Sequence, residues 1–240
     1  MFFNFFSQKS VGIDIADLSI EVAELQNAGS IKVLNLGRAF LEPGTVAGGR
    51  IQDEKKLQEA LRNVLASAEP KQIAPRRAIF GIPESQVYIH VAKCQEGFGA
   101  KNKAEQRKFL EEEARKNIPL DPQDLLFSHK VMSGDEILLV AASKSIIAEW
   151  QNFFRKLYID IKIFDIETLA VFRNLNVSST NLPLCLVDIG SYATNVAIFD
   201  TSGLRYSNSL GVGGQTLASA GHDFSLENEK DLLASLKAIQ

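Results

Sequence analysis

Two distant segments of the chain read almost as copies of each other. Gly12-Ile13-Asp14-Ile15-Ala16-Asp17-Leu18-Ser19-Ile20-Glu21-Val22-Ala23 and Leu186-Val187-Asp188-Ile189-Gly190-Ser191-Tyr192-Ala193-Thr194-Asn195-Val196-Ala197 each set an Asp-Ile pair in a β-branched run. Each then passes through small or polar residues and resumes an apolar strand ending Val-Ala at the same spacing. That pattern predicts a β-hairpin in both places. The two copies are too far apart for a solenoid period, and they suit two similar subdomains facing each other across a cleft. A duplicated hairpin of this kind grips a polyphosphate from both sides.

The residue types in the copies fit that chemistry. Phosphate needs closely spaced backbone N–H donors, and small turn residues let the backbone approach its oxygens. Gly190, Ser191 and Thr194 supply such a turn in the second copy. Asp14 and Asp188 each end a strand, where a carboxylate holds Mg²⁺ mostly through water, because magnesium retains several waters. Gly211-Val212-Gly213-Gly214-Gln215-Thr216 is a third glycine-rich segment, read as a strand-to-helix junction that presents a helix N-terminus to the nucleotide. Nothing supports nucleophilic hydrolysis: His90, His129 and His222 lie on unrelated segments, and no serine stands in a Gly-x-Ser-x-Gly elbow.

The rest of the chain organises around these motifs. Strands are predicted at 11–15, 19–26 and 31–39, a meander at the edge of a sheet, and Asp53 caps a helix carrying Leu57, Leu61, Val64 and Leu65 on one stripe. A buried strand over Ala78–Ile82 stops at Pro83. A charged helix over 101–117, a hairpin turned at 133–135 and a helix over 144–157 have the inventory of a small inserted α+β subdomain, with Glu111-Glu112-Glu113 as its solvated face. A strand at 161–165 and a short helix over 166–174 follow, then the linker-like Val177–Asn181, strands near 185–190, 194–200 and 203–210, and a last helix over 226–237. The chain divides accordingly into a first lobe (1–83), an inserted subdomain (84–160), a return to the first lobe with a linker (161–180) and a second lobe (181–240).

Composition bounds the function. With 240 residues, 45% of them hydrophobic and 23% charged, the chain is an ordinary folded α/β protein. A net charge of −3 argues against a large nucleic-acid footprint, which needs a positive surplus to release counterions. Cys94 and Cys185 have no ligand-spaced neighbours, so no zinc site or disulfide framework is expected and both read as thiols of a reducing compartment. No apolar run is long enough for a transmembrane helix and no signal peptide is read, which points to the cytoplasm. Phe2, Phe3, Phe5 and Phe6 leave two readings open: a segment tucked against its own domain, or shallow contact with a membrane or partner.

Taken in order, Asp14-Ile15 with its hairpin, Asp188 through Ala197 and Gly211-Val212-Gly213-Gly214 resemble the successive nucleotide motifs of the actin, sugar-kinase and heat-shock ATPase superfamily. Within it the chain resembles the PilM family of type IV pilus assembly proteins, which is related to the division protein FtsA. Glu111 through Leu120, Glu136 through Ser143 and Phe164-Asp165-Ile166-Glu167 resemble PilM segments in the same order. The resemblance implies duplicated actin-like (ribonuclease H-like) lobes with an FtsA/PilM-type inserted α+β subdomain and an incomplete second lobe. It implies ATP and Mg²⁺ as cofactors, with Asp14, Ala16, Asp17, Ser19, Asp188, Gly190, Ser191, Thr194, Gly213 and Gly214 around the nucleotide and Asp14 and Asp188 at the metal. Ala16 and Asp17 stand where the family usually has glycine and a small hydroxyl residue.

The family role implied is a scaffold at the inner face of the cytoplasmic membrane. It docks the cytoplasmic N-terminal peptide of PilN and works beside other inner-membrane and motor components of the pilus. Nucleotide binding is expected ahead of efficient hydrolysis. Self-association is a further expectation, because Leu232, Leu233 and Leu236 lack a second layer to bury them. An active actin-like ATPase is the alternative; an FtsA-like division protein is another, and it requires a C-terminal amphipathic helix that this sequence does not show.

Overall fold

The computed structural model describes residues 8–27, 30–94, 98–100, 102–132, 135–175 and 183–221. The Phe-rich start, the linker over 177–181 and the helix expected over 226–237 lie outside them.

The first hairpin forms as the alternation predicts. β1 (Gln8–Ile15) pairs antiparallel with β2 (Ser19–Asn27), setting Asp14 opposite Glu21, and β2 pairs with β3 (Ile31–Phe40). Val11, Ile13, Ile15, Ile20 and Val22 point to one face and are buried there. Two short strands, β4 (Val46–Ala47) and β5 (Arg50–Ile51), turn back on each other before α1 (Glu54–Ala66). The Asp53 side chain caps α1 by accepting from Lys56 N–H, as expected of an aspartate just before an apolar-periodic run. Helix α1 buries Leu57, Leu61 and Val64.

β6 (Arg77–Ile82) runs parallel to β1, and a 3-10 turn at Glu84–Gln86 follows Pro83. The insert comprises β7 (Tyr88–Lys93), α2 (Lys103–Asn117), β8 (Leu125–Val131) and β9 (Glu136–Ser143), its three strands ordered β7-β9-β8. α3 (Lys144–Lys156), β10 (Asp160–Ile166) and α4 (Glu167–Asn174) come next. The first sheet is ordered β10-β6-β1-β2-β3, so the meander ends at an edge but β1 is interior to the sheet. In the second lobe β11 (Leu184–Ile189), β12 (Thr194–Asp200) and β13 (Gly203–Leu210) form an antiparallel sheet that leads into α5 (Gly214–Gly221).

Among the described residues burial separates three cores. The largest joins α1, α3 and one face of the first sheet, with Trp150, Phe153 and Phe154 of α3 packed around Phe80. The apolar stripe of α3 thus faces the first lobe, and the insert's own core is narrower than 84–160: Leu110, Ala114, Ile118, Leu125, Ile137 and Leu139. The third core lies between bodies. Leu138 and Met132 of the insert meet Ala197, Phe199 and Leu204 of the second lobe, and Phe172 of α4 stacks on Phe199 at 3.9 Å between centroids.

Candidate functional site

The loop of the first hairpin is held from within. Ala16 N–H donates to the Ser19 carbonyl at 2.9 Å, and Ser19 Oγ donates to Glu21 at 3.2 Å. Asp17 turns toward the β4–β5 turn, where Oδ2 accepts from Gly48 N–H at 2.9 Å and Oδ1 from Gly49 N–H at 3.2 Å. Both glycines have positive φ, and a Cβ on Gly49 would come within 2.7 Å of Pro83. An L side chain is strained in that backbone region, which explains glycine there. Asp17 is therefore tied to the architecture of its own lobe, and its two carboxylate oxygens already meet backbone donors.

The second hairpin and the glycine-rich junction form one unit. Gly190 N–H donates to the Ala193 carbonyl at 2.8 Å and closes the turn, while Thr194 Oγ1 donates to the Val212 carbonyl at 2.6 Å. Gly214 and Gln215, at the start of α5, donate their N–H groups to the carbonyls of Gly190 and Ser191 at 2.8 and 2.9 Å. A Cβ on Gly213 would lie 2.5 Å from the Ser191 carbonyl group, so only glycine allows this approach. The junction thus buttresses the phosphate-type turn of Gly190 to Thr194, and two of the first amides of α5 are spent on that turn.

A cleft of about 1100 Å³ is lined by first-lobe residues, among them Asp14, Glu21, Arg38, Asp165 and Glu167, together with Asp188 of the second hairpin; Ala16, Asp17, Ser19, Gly190, Ser191, Thr194, Gly213 and Gly214, expected around the nucleotide, do not line it. The strand ends bring Asp14 and Asp188, from the two lobes, to the same cleft. Glu167, the first residue of α4, lies beside Asp14, so that two carboxyl groups face each other in a buried place. The Asp14 carboxyl is pushed up to about 6, chiefly by loss of water around it and then by the charge of Glu21 opposite, with Asp188 adding to the effect. Burial, and next the charge of Asp14, hold Glu167 well above the usual carboxylate range.

Glu84 extends this acidic chain toward the second lobe. Its N–H donates to Glu167 at 3.3 Å, its Oε2 accepts from Thr168 N–H at 3.4 Å, and Ser207 Oγ of β13 donates to its Oε1. Glu84 is buried, and that burial raises its carboxyl, with Asp188 contributing. Sequence reasoning named Asp14 and Asp188 but not Glu84 as a member of this group. Glu167 was marked only inside the segment Phe164–Glu167; its position immediately after a strand and at a helix start is the signal that could have found it.

Among the described residues no three carboxylates, histidines or cysteines form a ready metal cage. Asp14 and Asp188 nevertheless offer hard oxygen donors on both walls of one cleft, a set that suits Mg²⁺ brought in with a phosphate and keeping most of its water.

This architecture has solved counterparts. A structure described as a PilM–PilN type IV pilus biogenesis complex matches with TM-score 0.75 at 15% identity, over 94% of this chain and 69% of that one. The cytoplasmic domain of EpsL, an inner-membrane component of the type II secretion system of Vibrio cholerae, matches with TM-score 0.52 at 10% identity, over 85% and 71%. The ethanolamine utilization protein EutJ of Carboxydothermus hydrogenoformans matches with TM-score 0.53 at 13% identity, over 93% of this chain and 60% of that one. No curated protein sequence matches. The fold is the actin-like one, α/β with a central sheet, as the repeated Asp-Ile hairpins predict. The family model for the type IV pilus assembly protein PilM matches residues 12–230, and the chain belongs to that family.

Proposed function

We propose that the chain is a cytoplasmic scaffold of the type IV pilus machinery, peripheral to the inner membrane, that docks the N-terminal cytoplasmic peptide of PilN. Family membership carries this reading, and the fold shared with a PilM solved in complex with PilN supports it. Among the described residues no helix is long and apolar enough to cross a membrane, in keeping with a role alongside membrane proteins. Titration of the chain with a synthetic PilN N-terminal peptide tests it directly. Saturable binding is expected; its absence at several hundred micromolar, on the order of 5 kcal/mol or weaker, sinks the reading.

In the same proposal the cleft takes Mg²⁺–ATP as a ligand that holds the lobes together. Asp14 and Asp188 hold the metal through water, while Gly190, Ser191 and Thr194 face the phosphates. Ala16 and Ser19 shape the first loop, Asp17 anchors it, and Gly213 with Gly214 supports the second. Binding to the folded state alone stabilises it by mass action without turnover. The expected result is a Mg²⁺-dependent rise in melting temperature with ATP that disappears in Asp188→Ala.

One observation favours turnover as a second reading: Glu167 sits beside Asp14 in the cleft, its carboxyl raised by burial and by the charge of Asp14, as a residue that passes protons requires. Phosphate release from ATP that is lost in Glu167→Gln, with nucleotide binding retained, is the result that would select the ATPase.

A further inference from the structure

The insert carries a groove remote in composition from the acidic cleft. Its volume is about 630 Å³, and it runs between α2 and the strand β8. Four cations, Lys103, Arg107, Arg115 and Lys144, line it against a single carboxylate, Glu111, in a chain whose net charge is −3. Glu111 is already paired with Arg107 at 2.8 Å. The floor is apolar: Leu110 and Leu125 are buried, and Leu126 is 46% exposed.

Beside this groove the sheet has an edge. Among the described residues β8 pairs with β9 alone, in the order β7-β9-β8, and most of its residues are exposed. An edge strand presents unpaired backbone N–H and C=O groups, and an extended peptide can add to them as a further strand. The charges decide which peptide. A second copy of this chain laid on the edge would bring its own cations, Lys103, Arg107, Arg115 and Lys144, toward the same set, an unfavourable like-charge meeting. A basic segment meets the same obstacle along α2. An acidic one gains on both sides.

We propose that the groove between α2 and β8 docks an extended partner segment in which acidic and apolar side chains alternate, adding a strand to the insert's sheet at β8. The segment's carboxylates lie on the α2 side of the extended sheet, facing Lys103, Arg107 and Arg115, and its apolar residues lie on the opposite face beside the exposed Leu126. This surface is separate from the nucleotide cleft, so occupancy of one does not require the other.

The test uses the full chain and a fluorescein-labelled peptide of about ten residues alternating Glu with Val and Leu, a length that spans an edge strand. Its counterpart with Lys for every Glu serves as the control. Fluorescence anisotropy should show saturable binding of the Glu peptide and none of the Lys peptide. Lys103→Glu/Arg115→Glu, both of them exposed side chains, should weaken binding about tenfold or more while leaving a cooperative thermal melt. Hydrogen exchange on binding should slow at 125–131. The proposal is overturned if the Lys peptide binds equally, if the double reversal leaves affinity within about twofold, if protection falls elsewhere, or if the Glu peptide does not bind.

Discussion

Asp14 and Glu167 are two buried acids set side by side, and their raised carboxyls make a definite pH signature. A group whose folded-state pKa lies above its unfolded value contributes stability that is fully present below the unfolded value and lost as pH rises through the folded one. For Asp14 the window opens near its ordinary 3.8 and closes around 6, and the raised Glu167 carboxyl acts in the same sense. The chain without cation should therefore melt lower at pH 8 than at pH 5. Glu167→Gln removes a charge beside Asp14 and offers it an amide donor, so it should raise the melting temperature at pH 8 by about 5 °C and flatten the pH dependence. A melt series from pH 4 to 8 on both proteins checks this; a wild type more stable at pH 8 refutes it. A second residue-scale outcome concerns Gly213. Its missing Cβ is what lets the backbone lie against Ser191, so Gly213→Ala should cost about 1–3 kcal/mol in a denaturant titration. Asp14, Asp188 and this glycine run were legible because hairpin alternation and glycine spacing are local. Glu84 was not, since nothing near Pro83 in the sequence shows that Ser207 and Thr168 come to it.

At the scale of elements, α3 shows where local reasoning stops. Its bounds follow from periodicity and from the Ser143 cap, whose side chain accepts from Ser145 and Ile146 N–H. Periodicity names the buried face but not its partner, and adjacency in sequence assigned the helix to the insert. The partner is instead the first-lobe sheet: Trp150 is fully buried against Phe80, and its indole N–H donates to the Gly49 carbonyl at 3.2 Å. Through Gly49 the helix supports the turn that holds Asp17. Trp150→Ala should therefore cost about 3–5 kcal/mol, a loss of ring contacts and of one buried hydrogen bond together. Trp150→Phe restores most of the volume, and the difference between the two variants in a urea titration measures the cavity's share.

For the molecule as a whole, three separate cores mean that stability is not shared evenly. The first-lobe core and the insert core each close on their own elements, whereas the third consists of contacts between bodies. That junction combines the Phe172–Phe199 stack, the Glu84–Ser207 hydrogen bond, and the ion pairs of Arg205 with Glu136 of the insert and Asp200 of its own lobe. Glu136 is held below the usual carboxylate range by its hydrogen bond to Arg205, so this link weakens as pH falls, the opposite sense to the Asp14–Glu167 pair. Arg205→Ala removes the link without opening a cavity. If the second lobe is held by this junction, its amides exchange through opening of the junction and not through unfolding of the first lobe. Arg205→Ala should then speed hydrogen exchange in β13, β12 and the facing strands β7 and β9 by about threefold or more, and leave α1 and α3 unchanged. Uniform acceleration across all elements would mean that the lobes unfold as one unit, and the cleft that Asp14 and Asp188 share would then have no independent hinge to close.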